Sequence, residues 1–576
     1  MTKREYEPTI EQQAVISGET SAFVSACPGA GKTRTMVERA RYLLSETNNR
    51  RGVAFLSFTT AAVGELEARL RALQVLPVPL FPSYIGTFDA FLWQFLTVPF
   101  GIPGSDALPR LIPDKSKWPV EPFAGAQPLP LSCFNRLSGK VDEALAKNEG
   151  FDISERNIAP YEKHALMMST DARNRGFLDF DDVRDCISER LKDDLFAQRV
   201  GAALAARFRE IVVDEAQDCN RSDLGVVSWL RRSGIVVKVI CDPHQSIYEF
   251  RGGVTDELYR FADTFSLEQR LSLTGNFRSS PAICAAIVSF REPNHRDSRD
   301  RPAGEYQKDA TPVHILSYAG SSVPPTIGSI FAGLANGLGI PLHDAVVLAA
   351  TRDSGSKAIG HPNPGTSTHP TLALAQAVMD YHFSFAAGNR RDALTHLHRV
   401  TLRVRGHIRS EAAYNRYIVG EGLTANDWRS EIIGLANALR YDPNSSVEAW
   451  LQKARDVTGV GMLGKTTINQ RLPKHRELQS ALAEAPALSP SVRTIHAAKG
   501  LEFEAVCVVL TVPKTGGILD LLEGIGANGR GEDVRKIYVA ISRAKKLLVL
   551  ATPKNRVAQL QRVLAVDACP TAVHKI

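Results

Sequence analysis

Short apolar runs that alternate with helix-patterned segments constrain the fold of this chain more than any other feature. The runs SAFVSAC, VAFLSF, EIVVDE and VVKVIC are rich in Val, Ile, Phe and Ala, and segments such as TRTMVERARYLL lie between several of them. This alternation is typical of buried strands in a parallel sheet. A second set follows as HILSY, AVVLAAT, AVCVVLTV and KLLVLAT. The sequence therefore predicts an α/β protein with two separate parallel sheets.

Two segments of different composition interrupt these sheets. Residues 98–175 hold many prolines before becoming helical, and residues 353–490 open with the loop DSGSKAIGHPNPGTSTHP and continue in helical patterns such as LALAQAVMDYHFSFA. We therefore predict two parallel-sheet lobes, each interrupted by a mainly helical insertion, and no internal repeat of fixed period is visible. The predicted domains are a first lobe at 1–97 and 176–270 with insertion 98–175, and a second lobe at 271–352 and 491–576 with insertion 353–490.

Length, charge and cysteine usage restrict the class of protein. A chain of 576 residues is long enough for several domains, and a formal charge of +7 suits a polyanionic partner without requiring one. The eight cysteines lie far apart with no CxxC pair, which indicates neither a disulfide framework nor a zinc cluster. The polar start MTKREYEPTI lacks a signal-peptide core, and no apolar stretch is long enough to span a bilayer. We expect a soluble cytoplasmic protein with no membrane partner.

A glycine-rich loop, ACPGAGKT, stands between the first apolar run and an amphipathic helical segment. Small residues allow backbone N–H groups to close around a phosphate at a helix N-terminus, Lys32 adds positive charge near the β and γ phosphates of ATP, and Thr33 can ligate Mg²⁺. The strand before and the helix after disfavour a chance match. The predicted phosphate loop consists of Ala26, Cys27, Pro28, Gly29, Ala30, Gly31, Lys32 and Thr33. Ala26 stands where the common pattern has its first glycine.

An acidic segment, DEAQD, follows the apolar run IVV at the expected carboxyl end of a strand, where open α/β sheets bind their ligands. Asp214 would hold Mg²⁺ directly or through water, and Glu215 would orient or deprotonate the attacking water. A DE pair alone is commonly a helix-capping strand end, and the phosphate loop favours the hydrolytic interpretation. Arg278 in GNFRSS and Arg543 in YVAISRAKK are candidates for stabilising charge on the γ-phosphate, although either alone is more often a surface or ion-paired arginine.

Taken in order, these segments resemble the motifs of superfamily-one helicases of the UvrD, Rep and PcrA type over nearly the whole chain. EPTIEQQAV resembles the Q motif, ACPGAGKTR motif I, FTTAAVGELEARL motif Ia, and IGTFDAF the segment after it, in which Asp89 replaces the usual His. DEAQD, DPHQSIYEFRGG, NFRSS, TIHAAKGLEFE and RKIYVAISRAKK resemble motifs II to VI. The resemblance implies two RecA-like lobes, 1A and 2A, that close on ATP, insertions 1B and 2B, and 3′→5′ travel.

The resemblance also implies roles for individual residues. Gln12, with Gln13 as the less favoured alternative, would read adenine, Arg34 would lie near the base, and Gln245 would sense the γ-phosphate. Phe277 stands in the place of an adenine-stacking Tyr, and Glu502 would act as a relay or meet the ribose. The residues expected to contact the DNA strand are Phe58, Thr87, Tyr248, Phe250, Arg251 and His496. Aromatic faces and phosphate donors give the sequence-tolerant contact that a motor on a single strand requires, although Tyr248 could equally belong to the core.

The predicted function is an ATP-dependent DNA helicase or translocase with ATP and Mg²⁺ as cofactors and single-stranded or 3′-tailed DNA as partner. The alternative is a DNA-end-sensing ATPase subunit that regulates a partner endonuclease in antiphage defence of the Gabija type. That alternative rests on the short 2B insertion, where the family's glycine-rich opening segment is not found after Arg352. A P-loop kinase is disfavoured because it has no use for motifs Ia, III and V. We expect no nuclease module after motif VI.

Overall fold

The chain divides into two compact units, Met1–Phe277 and Arg278–Ile576. The computed structural model describes residues 7–45, 50–123, 125–153, 157–247, 255–296, 299–360, 369–386, 390–408, 413–414, 417–418, 421–482, 490–525 and 531–576.

The first unit is built on a six-stranded parallel sheet. The strands of the whole unit, inside and outside this sheet, are β1 (Ala22–Ala26), β2 (Gly52–Ser57), β3 (Tyr84–Thr87), β4 (Arg110–Leu111), β5 (Pro119–Val120), β6 (Leu129–Pro130), β7 (Phe177–Leu178), β8 (Phe208–Val213), β9 (Val236–Cys241), β10 (Arg270–Leu273) and β11 (Gly275–Asn276). The sheet has the order β10-β1-β9-β8-β2-β3. Its helices are α1 (Ile10–Ser17), α2 (Lys32–Ser45), α3 (Thr60–Ala72), α4 (Phe88–Phe91), α5 (Glu143–Asn148), α6 (Ala159–Asn174), α7 (Phe180–Arg190), α8 (Asp194–Arg207), α9 (Arg221–Arg232) and α10 (Thr255–Ala262).

Both faces of this sheet are covered, which explains why its central strands are largely apolar in sequence. Successive side chains of a strand point to opposite faces. Phe23 of β1 packs in one core with Trp229 of α9, whereas its neighbour Val24 packs in a second core with Met36 of α2. A strand buried on both faces has no position for a polar side chain facing solvent.

The insertion of the first unit has its own small core, formed by residues such as Val120, Leu129 and Phe151. It contains the strand pair β5 and β6 together with α5 and α6, and β4 pairs in parallel with β7 beyond the insertion. Lys115 is fully buried and forms an ion pair of 2.5 Å with Asp182 at the start of α7. Buried ionic contacts therefore attach the insertion to the lobe that carries it.

The second unit repeats the architecture with another six-stranded parallel sheet of order β15-β14-β16-β17-β13-β18. The strands of this unit are β12 (Arg301–Pro302), which lies outside the sheet, and β13 (Val313–Tyr318), β14 (Ala345–Ala349), β15 (Ser491–Thr494), β16 (Phe503–Val509), β17 (Ala544–Pro553) and β18 (Thr571–Lys575). The helices of this unit are α11 (Pro281–Ser289), α12 (Thr326–Gly337), α13 (Arg352–Ala358), α14 (Pro370–Ala386), α15 (Arg390–Arg405), α16 (Ala425–Ala438), α17 (Val447–Thr458), α18 (Ile468–Arg471), α19 (Leu478–Ala481), α20 (Val512–Leu522), α21 (Gly531–Ile541) and α22 (Val557–Ala565). Helices α14 to α19 enclose a separate apolar core around residues such as Leu397, Trp428 and Trp450.

The prediction of an α/β chain with two parallel sheets is confirmed, because all eight apolar runs form strands of the expected sheet. The domain limits stay a prediction, and β10, which begins at Arg270, pairs with β1 in the first sheet. All eight cysteines are buried as free thiols. Among the helices in the described ranges, none is both long and apolar enough to cross a bilayer.

Candidate ATP and DNA site

The phosphate loop connects the carboxyl end of β1 to the first residue of α2, Lys32. Gly29 and Gly31 have φ angles of +70° and +73°, a conformation that glycine adopts without steric cost. A Cβ atom on Gly31 would lie 3.1 Å from the side-chain nitrogen of Gln12. The glycines therefore provide both the backbone turn and the space that the loop needs in front of the helix N-terminus.

Backbone hydrogen bonds fix the loop to the neighbouring strand and to Phe277. The N–H of Cys27 donates to the carbonyl of Leu273 in β10 at 3.0 Å, and the N–H of Phe277 donates to the carbonyl of Gly29 at 2.9 Å. The ring of Phe277 remains 39% exposed. The structure thus places a partly exposed aromatic residue next to the loop, and the stacking of Phe277 on adenine stays a prediction.

Gln12 is buried against the phosphate loop. It is the third residue of α1, where its side-chain oxygen accepts from the N–H of Thr9 at 3.1 Å, and its side-chain nitrogen donates to the carbonyl of Ala30 at 3.1 Å. Gln13 is exposed. Of the two glutamines that the sequence offered, Gln12 is the buried one and bonds to the loop. Arg34, in the first turn of α2, pairs with Glu38 at 3.2 Å and keeps 42% of its side chain exposed.

The acidic pair follows β8 at the same edge of the sheet. The N–H of Asp214 donates to the carbonyl of Leu56 in β2 at 2.8 Å, and Asp214 is only 3% exposed. Burial, together with the neighbouring charge of Glu215, raises the pKa of Asp214 to about 7, while the charge of Lys32 opposes this rise. Glu215 has a φ angle of +56°, which is uncommon outside glycine and often marks functional sites.

A hydrogen-bond chain, the relay, connects the half-buried Glu215 to the buried Gln245. The side-chain nitrogen of Gln217 donates to Oε2 of Glu215, and its oxygen accepts from the N–H of Asp242 at 3.1 Å. Oδ2 of Asp242 then accepts from the side-chain nitrogen of Gln245 at 2.8 Å. Sequence reasoning missed Gln217 and Asp242. The available signal was their position, because both follow the carboxyl ends of the adjacent strands β8 and β9.

The residues present fit a magnesium ion. Oδ1 of Asp214 is buried and has no hydrogen-bond partner among the residues described above. A buried carboxylate oxygen beside a second carboxylate is costly unless a cation lies near it. Thr33 adds a hydroxyl oxygen in the first turn of α2. Carboxylate and hydroxyl oxygens, completed by phosphate oxygens and water, are the donors that Mg²⁺ prefers.

Two of the residues predicted to contact DNA meet at α4. Phe58 stacks on Phe88 with ring centroids 5.3 Å apart and an angle of 15° between the planes. The hydroxyl oxygen of Thr87 caps α4 by accepting from the N–H of Ala90 at 3.1 Å, which leaves its proton able to donate to a phosphate. The other predicted contacts on this lobe, Tyr248, Phe250 and Arg251, lie outside the described residues.

In the second unit, Arg278, Glu502 and Arg543 meet around Ser542. The guanidinium of Arg278 donates to the carbonyl of Ser542 at 2.7 Å and to Glu502 at 2.5 Å. Arg543 is 3% exposed, and its guanidinium donates to the hydroxyl of Ser542 at 2.8 Å. Burial tends to raise the pKa of Glu502, but the charge of Arg278 and its hydrogen bond hold that pKa below its ordinary value. His496, in the short helical turn after β15, is half-buried.

The structure therefore gathers the predicted residues into two sets. The set in the first unit comprises the phosphate loop with Gln12, Arg34, Asp214, Glu215, Gln245 and Phe277, and near α4 Phe58 and Thr87. The set in the second unit comprises Arg278, Glu502 and Arg543, which come from three segments distant in sequence. Ser542, which sequence reasoning did not single out, holds the two arginines together.

Two family profiles cover most of these segments. Residues 8–100 and 135–266 match the profile described as UvrD/REP helicase N-terminal domain, and residues 470–555 match the profile of the UvrD-like helicase C-terminal domain. These ranges contain the phosphate loop, the acidic pair and Arg543, whereas Arg278 lies outside them.

Individual relatives are distant in sequence. DNA helicase II of Salmonella typhimurium is 25% identical over 50% of this chain and 40% of its own length, and that of Escherichia coli is 24% identical over the same shares. The ATP-dependent DNA helicase UvrD2 of Mycobacterium tuberculosis is 25% identical over 95% of this chain and 78% of its own length. The chain thus spans about 40% of the length of the DNA helicase II relatives it matches.

Proposed function

Because this chain belongs to the UvrD/REP helicase family, we propose that it is an ATP-dependent DNA helicase that moves along single-stranded DNA and separates strands. The observation that carries the proposal is the relay from Glu215 through Gln217 and Asp242 to Gln245. It lies at the carboxyl edge of a parallel sheet, where the phosphate loop also lies. A carboxylate suited to activate water is thereby linked to a buried amide that can respond to the γ-phosphate.

The phosphate loop and its surroundings would bind the nucleotide. The N-terminus of α2 would present backbone N–H groups and the positive end of the helix dipole to the phosphates, and Lys32 adds a full charge. Gln12 is fixed on the loop through Ala30, and Phe277 is fixed through Gly29. Phe277 keeps a partly exposed side chain that would stack on the base. We assign Gln12, whose side chain bonds to Thr9 and Ala30, the role in base recognition that the family motifs imply.

Hydrolysis would depend on Glu215. Its Oε2 is held by Gln217, so its orientation is set before substrate binds, and its second oxygen can accept a hydrogen bond from the attacking water. Asp214 and Thr33 would hold Mg²⁺, which when bound neutralises charge on the β and γ phosphates. We assign the stabilisation of transition-state charge to Arg278 and Arg543, which Ser542 keeps together.

The nucleic-acid contacts are proposed for both units. Phe58 and Thr87 lie at α4 and offer an aromatic face and a hydroxyl donor, which are the two kinds of contact that a single strand needs. His496 is assigned to the strand backbone on the second unit. The 3′→5′ direction is carried over from the family motifs, since a set of contacts without bound DNA does not define polarity.

The test is ATP hydrolysis by the purified chain with and without single-stranded DNA, followed by strand displacement from duplexes with a 3′ or a 5′ tail. A motor of the proposed direction gives DNA-stimulated hydrolysis and displaces only the strand of the 3′-tailed duplex. Lys32→Ala serves as the control without hydrolysis, because it removes the charge at the phosphate loop. Absence of stimulation, with Mg²⁺ present, would contradict the proposal.

The same assay separates the motor from the regulatory alternative. An ATPase subunit that senses DNA ends and controls a partner endonuclease in antiphage defence would show stimulation without strand displacement. Its stimulation would also depend on DNA ends, so that circular single-stranded DNA would be inactive. Equal stimulation by circular and linear DNA would favour a translocating motor.

A further inference from the structure

Arg184 is a buried residue of α7 that lies outside every segment resembling a helicase motif. Its guanidinium uses all three nitrogens: Nη2 donates to Asp89 at 2.6 Å, Nε donates to Asp223 at 2.8 Å, and Nη1 donates to the carbonyl of Phe180 at 3.0 Å. Only 12% of the side chain is exposed. A guanidinium held at every nitrogen has one orientation, and charge-assisted bonds of this kind are stronger than neutral ones.

The first carboxylate, Asp89, belongs to the element that carries the proposed DNA contacts. Asp89 lies in the first turn of α4, two residues after the capping residue Thr87 and next to Phe88, on which Phe58 stacks. A strand that binds at Phe58 and Thr87 would therefore press on the same short helix. Any displacement of that helix changes the position of the Asp89 carboxylate.

The second carboxylate, Asp223, fixes the start of the helix that follows the hydrolytic segment. It forms a capping box with Asn220 at the start of α9, with hydrogen bonds of 3.1 and 2.9 Å between each side chain and the other backbone N–H. Only Cys219 separates this box from Asp218, the end of the segment DEAQD that contains Glu215. The position of Asp223 therefore restricts the backbone on which Glu215 stands.

One cation compensates both carboxylates. Asp223 is 1% exposed, and burial raises the pKa of its carboxyl group, while the charge of Arg184 opposes that rise. The negative charge of Asp89 raises the pKa of Asp223 further. Because the two acids share one guanidinium, a shift of Arg184 toward one of them weakens its contact with the other.

We propose that Arg184 is a positioning residue that couples contact between a DNA strand and α4 to the placement of Glu215 for hydrolysis. This inference rests on the proposed helicase function, because it requires hydrolysis that DNA stimulates. Of the side chains that carry the coupling, Arg184 and Asp223 lie outside the segments that resemble helicase motifs.

The test compares turnover of the full chain, its Asp89→Ala variant and its Asp89→Glu variant, each without DNA and with saturating oligothymidylate. Asp89→Ala removes the ion pair between Asp89 and Arg184 but keeps the one between Arg184 and Asp223, so the buried Asp223 carboxylate still has its cation. We expect basal turnover and KM for ATP to stay within about twofold, while DNA-stimulated kcat falls about tenfold. Asp89→Glu, which keeps a carboxylate within reach, should restore most of the stimulation.

Glu189→Ala is the matched control, because it breaks another 2.6 Å ion pair of α7, with Arg173, that reaches neither segment. It should leave stimulation unchanged. The coupling role is overturned if Asp89→Ala retains full stimulation at saturating DNA, or if basal and stimulated turnover fall by the same factor. If the unaltered chain shows no stimulation at all, the proposed function fails together with the coupling.

Discussion

The side-chain nitrogen of Gln12 donates a hydrogen bond to the carbonyl of Ala30, and the two atoms lie 3.1 Å apart in a buried environment. Gln12 is also the residue that closes the capping box of α1 with Thr9. One side chain therefore joins the start of α1 to the phosphate loop. A residue in this position can relate the identity of the base to the shape of the loop.

Gln12→Ala should weaken ATP binding more than it slows turnover at saturating ATP. The change removes the contact with the loop and leaves the Ala30 carbonyl buried without that donor. A buried hydrogen bond lost in this way costs about 1 to 3 kcal/mol, so KM for ATP should rise by about fivefold or more. The preference for ATP over GTP should fall as well, which parallel measurements of kcat/KM with both nucleotides will show.

The adjacent residue provides the control for this change. Gln13 has the same side chain in the same helix but is exposed, so Gln13→Ala should leave KM and nucleotide preference unchanged. If the two variants behave alike, Gln12 has no special part in nucleotide recognition.

The second prediction concerns Gln217, the residue of the relay that bonds to Glu215. Gln217→Leu keeps the approximate volume of the side chain but removes its bonds to Glu215 and to the N–H of Asp242. Without them Glu215 loses its fixed orientation, so kcat should fall by about tenfold to a hundredfold while nucleotide affinity changes much less. Steady-state hydrolysis and equilibrium binding of a labelled nucleotide measure the two quantities separately.

A second buried glutamine distinguishes this effect from general destabilisation. Gln559 is 8% exposed and donates to Asp520 and Glu523 in the second unit. Gln559→Leu should lower the Tm by an amount comparable to Gln217→Leu without the same loss of kcat. An equal loss of kcat in the two variants would mean that the relay has no specific role in hydrolysis.

The sequence predicted the interior of both sheets but missed their edges. The eight apolar runs are strands, and the four unpredicted strands β3, β10, β15 and β18 are the two edge strands of each sheet. An edge strand is less enclosed by neighbours and need not be apolar at every position. β15 has no fully buried residue, and β10 has only one, so the signal of a continuous apolar run was absent.

The candidate site shows a similar division. Lys32, Asp214 and Glu215 could be predicted because their chemistry and their place after buried strands appear in the sequence. The place of Gln217 after β8 was a signal that sequence reasoning did not use. Ser542 offered no such signal, because its role consists of a contact with Arg278, which is distant along the chain. Such contacts depend on strand order and side-chain rotamers, and spacing along the sequence does not encode either of them.

Acid should destabilise the helical part of the second unit through His398. This ring is 4% exposed, stacks on Trp428 at 4.2 Å and bonds to the hydroxyl of Tyr414 at 2.9 Å. Burial lowers the pKa of His398 to about 4 from an ordinary value of 6.5. The folded state therefore holds the neutral ring, and its contribution to stability is present above pH 6.5 and lost as the pH falls toward 4.

Thermal unfolding at pH 7.5 and at pH 5 measures this effect. His398→Gln should lower the Tm at pH 7.5, because the stacking is lost, but it should reduce the drop in Tm between the two pH values. His343→Gln, at a ring whose side chain is 79% exposed, should leave that drop unchanged. If His398→Gln shows the same drop as the unaltered chain, another group controls the acid sensitivity.

Arg543 is the arginine whose loss should separate turnover from binding. Its guanidinium is fixed by Ser542 and by the carbonyl of Val539 at 3.1 Å, so it presents positive charge in one orientation. Charge of this kind acts mainly on the transition state, where negative charge gathers on the transferred phosphoryl group. Arg543→Ala should therefore lower kcat by about a hundredfold or more while nucleotide affinity changes only a few-fold.

Arg535 allows a matched comparison, because it is equally buried on α21 and pairs with Glu292 at 2.9 Å. Arg535→Ala removes the ion pair with Glu292 and should lower the Tm. The kcat of the remaining folded protein should stay within about threefold, because the change affects packing and not the groups proposed to act on the phosphates. A parallel loss of kcat and nucleotide affinity in Arg543→Ala would assign Arg543 to ground-state binding. That outcome would leave Arg278 as the arginine to test for transition-state charge.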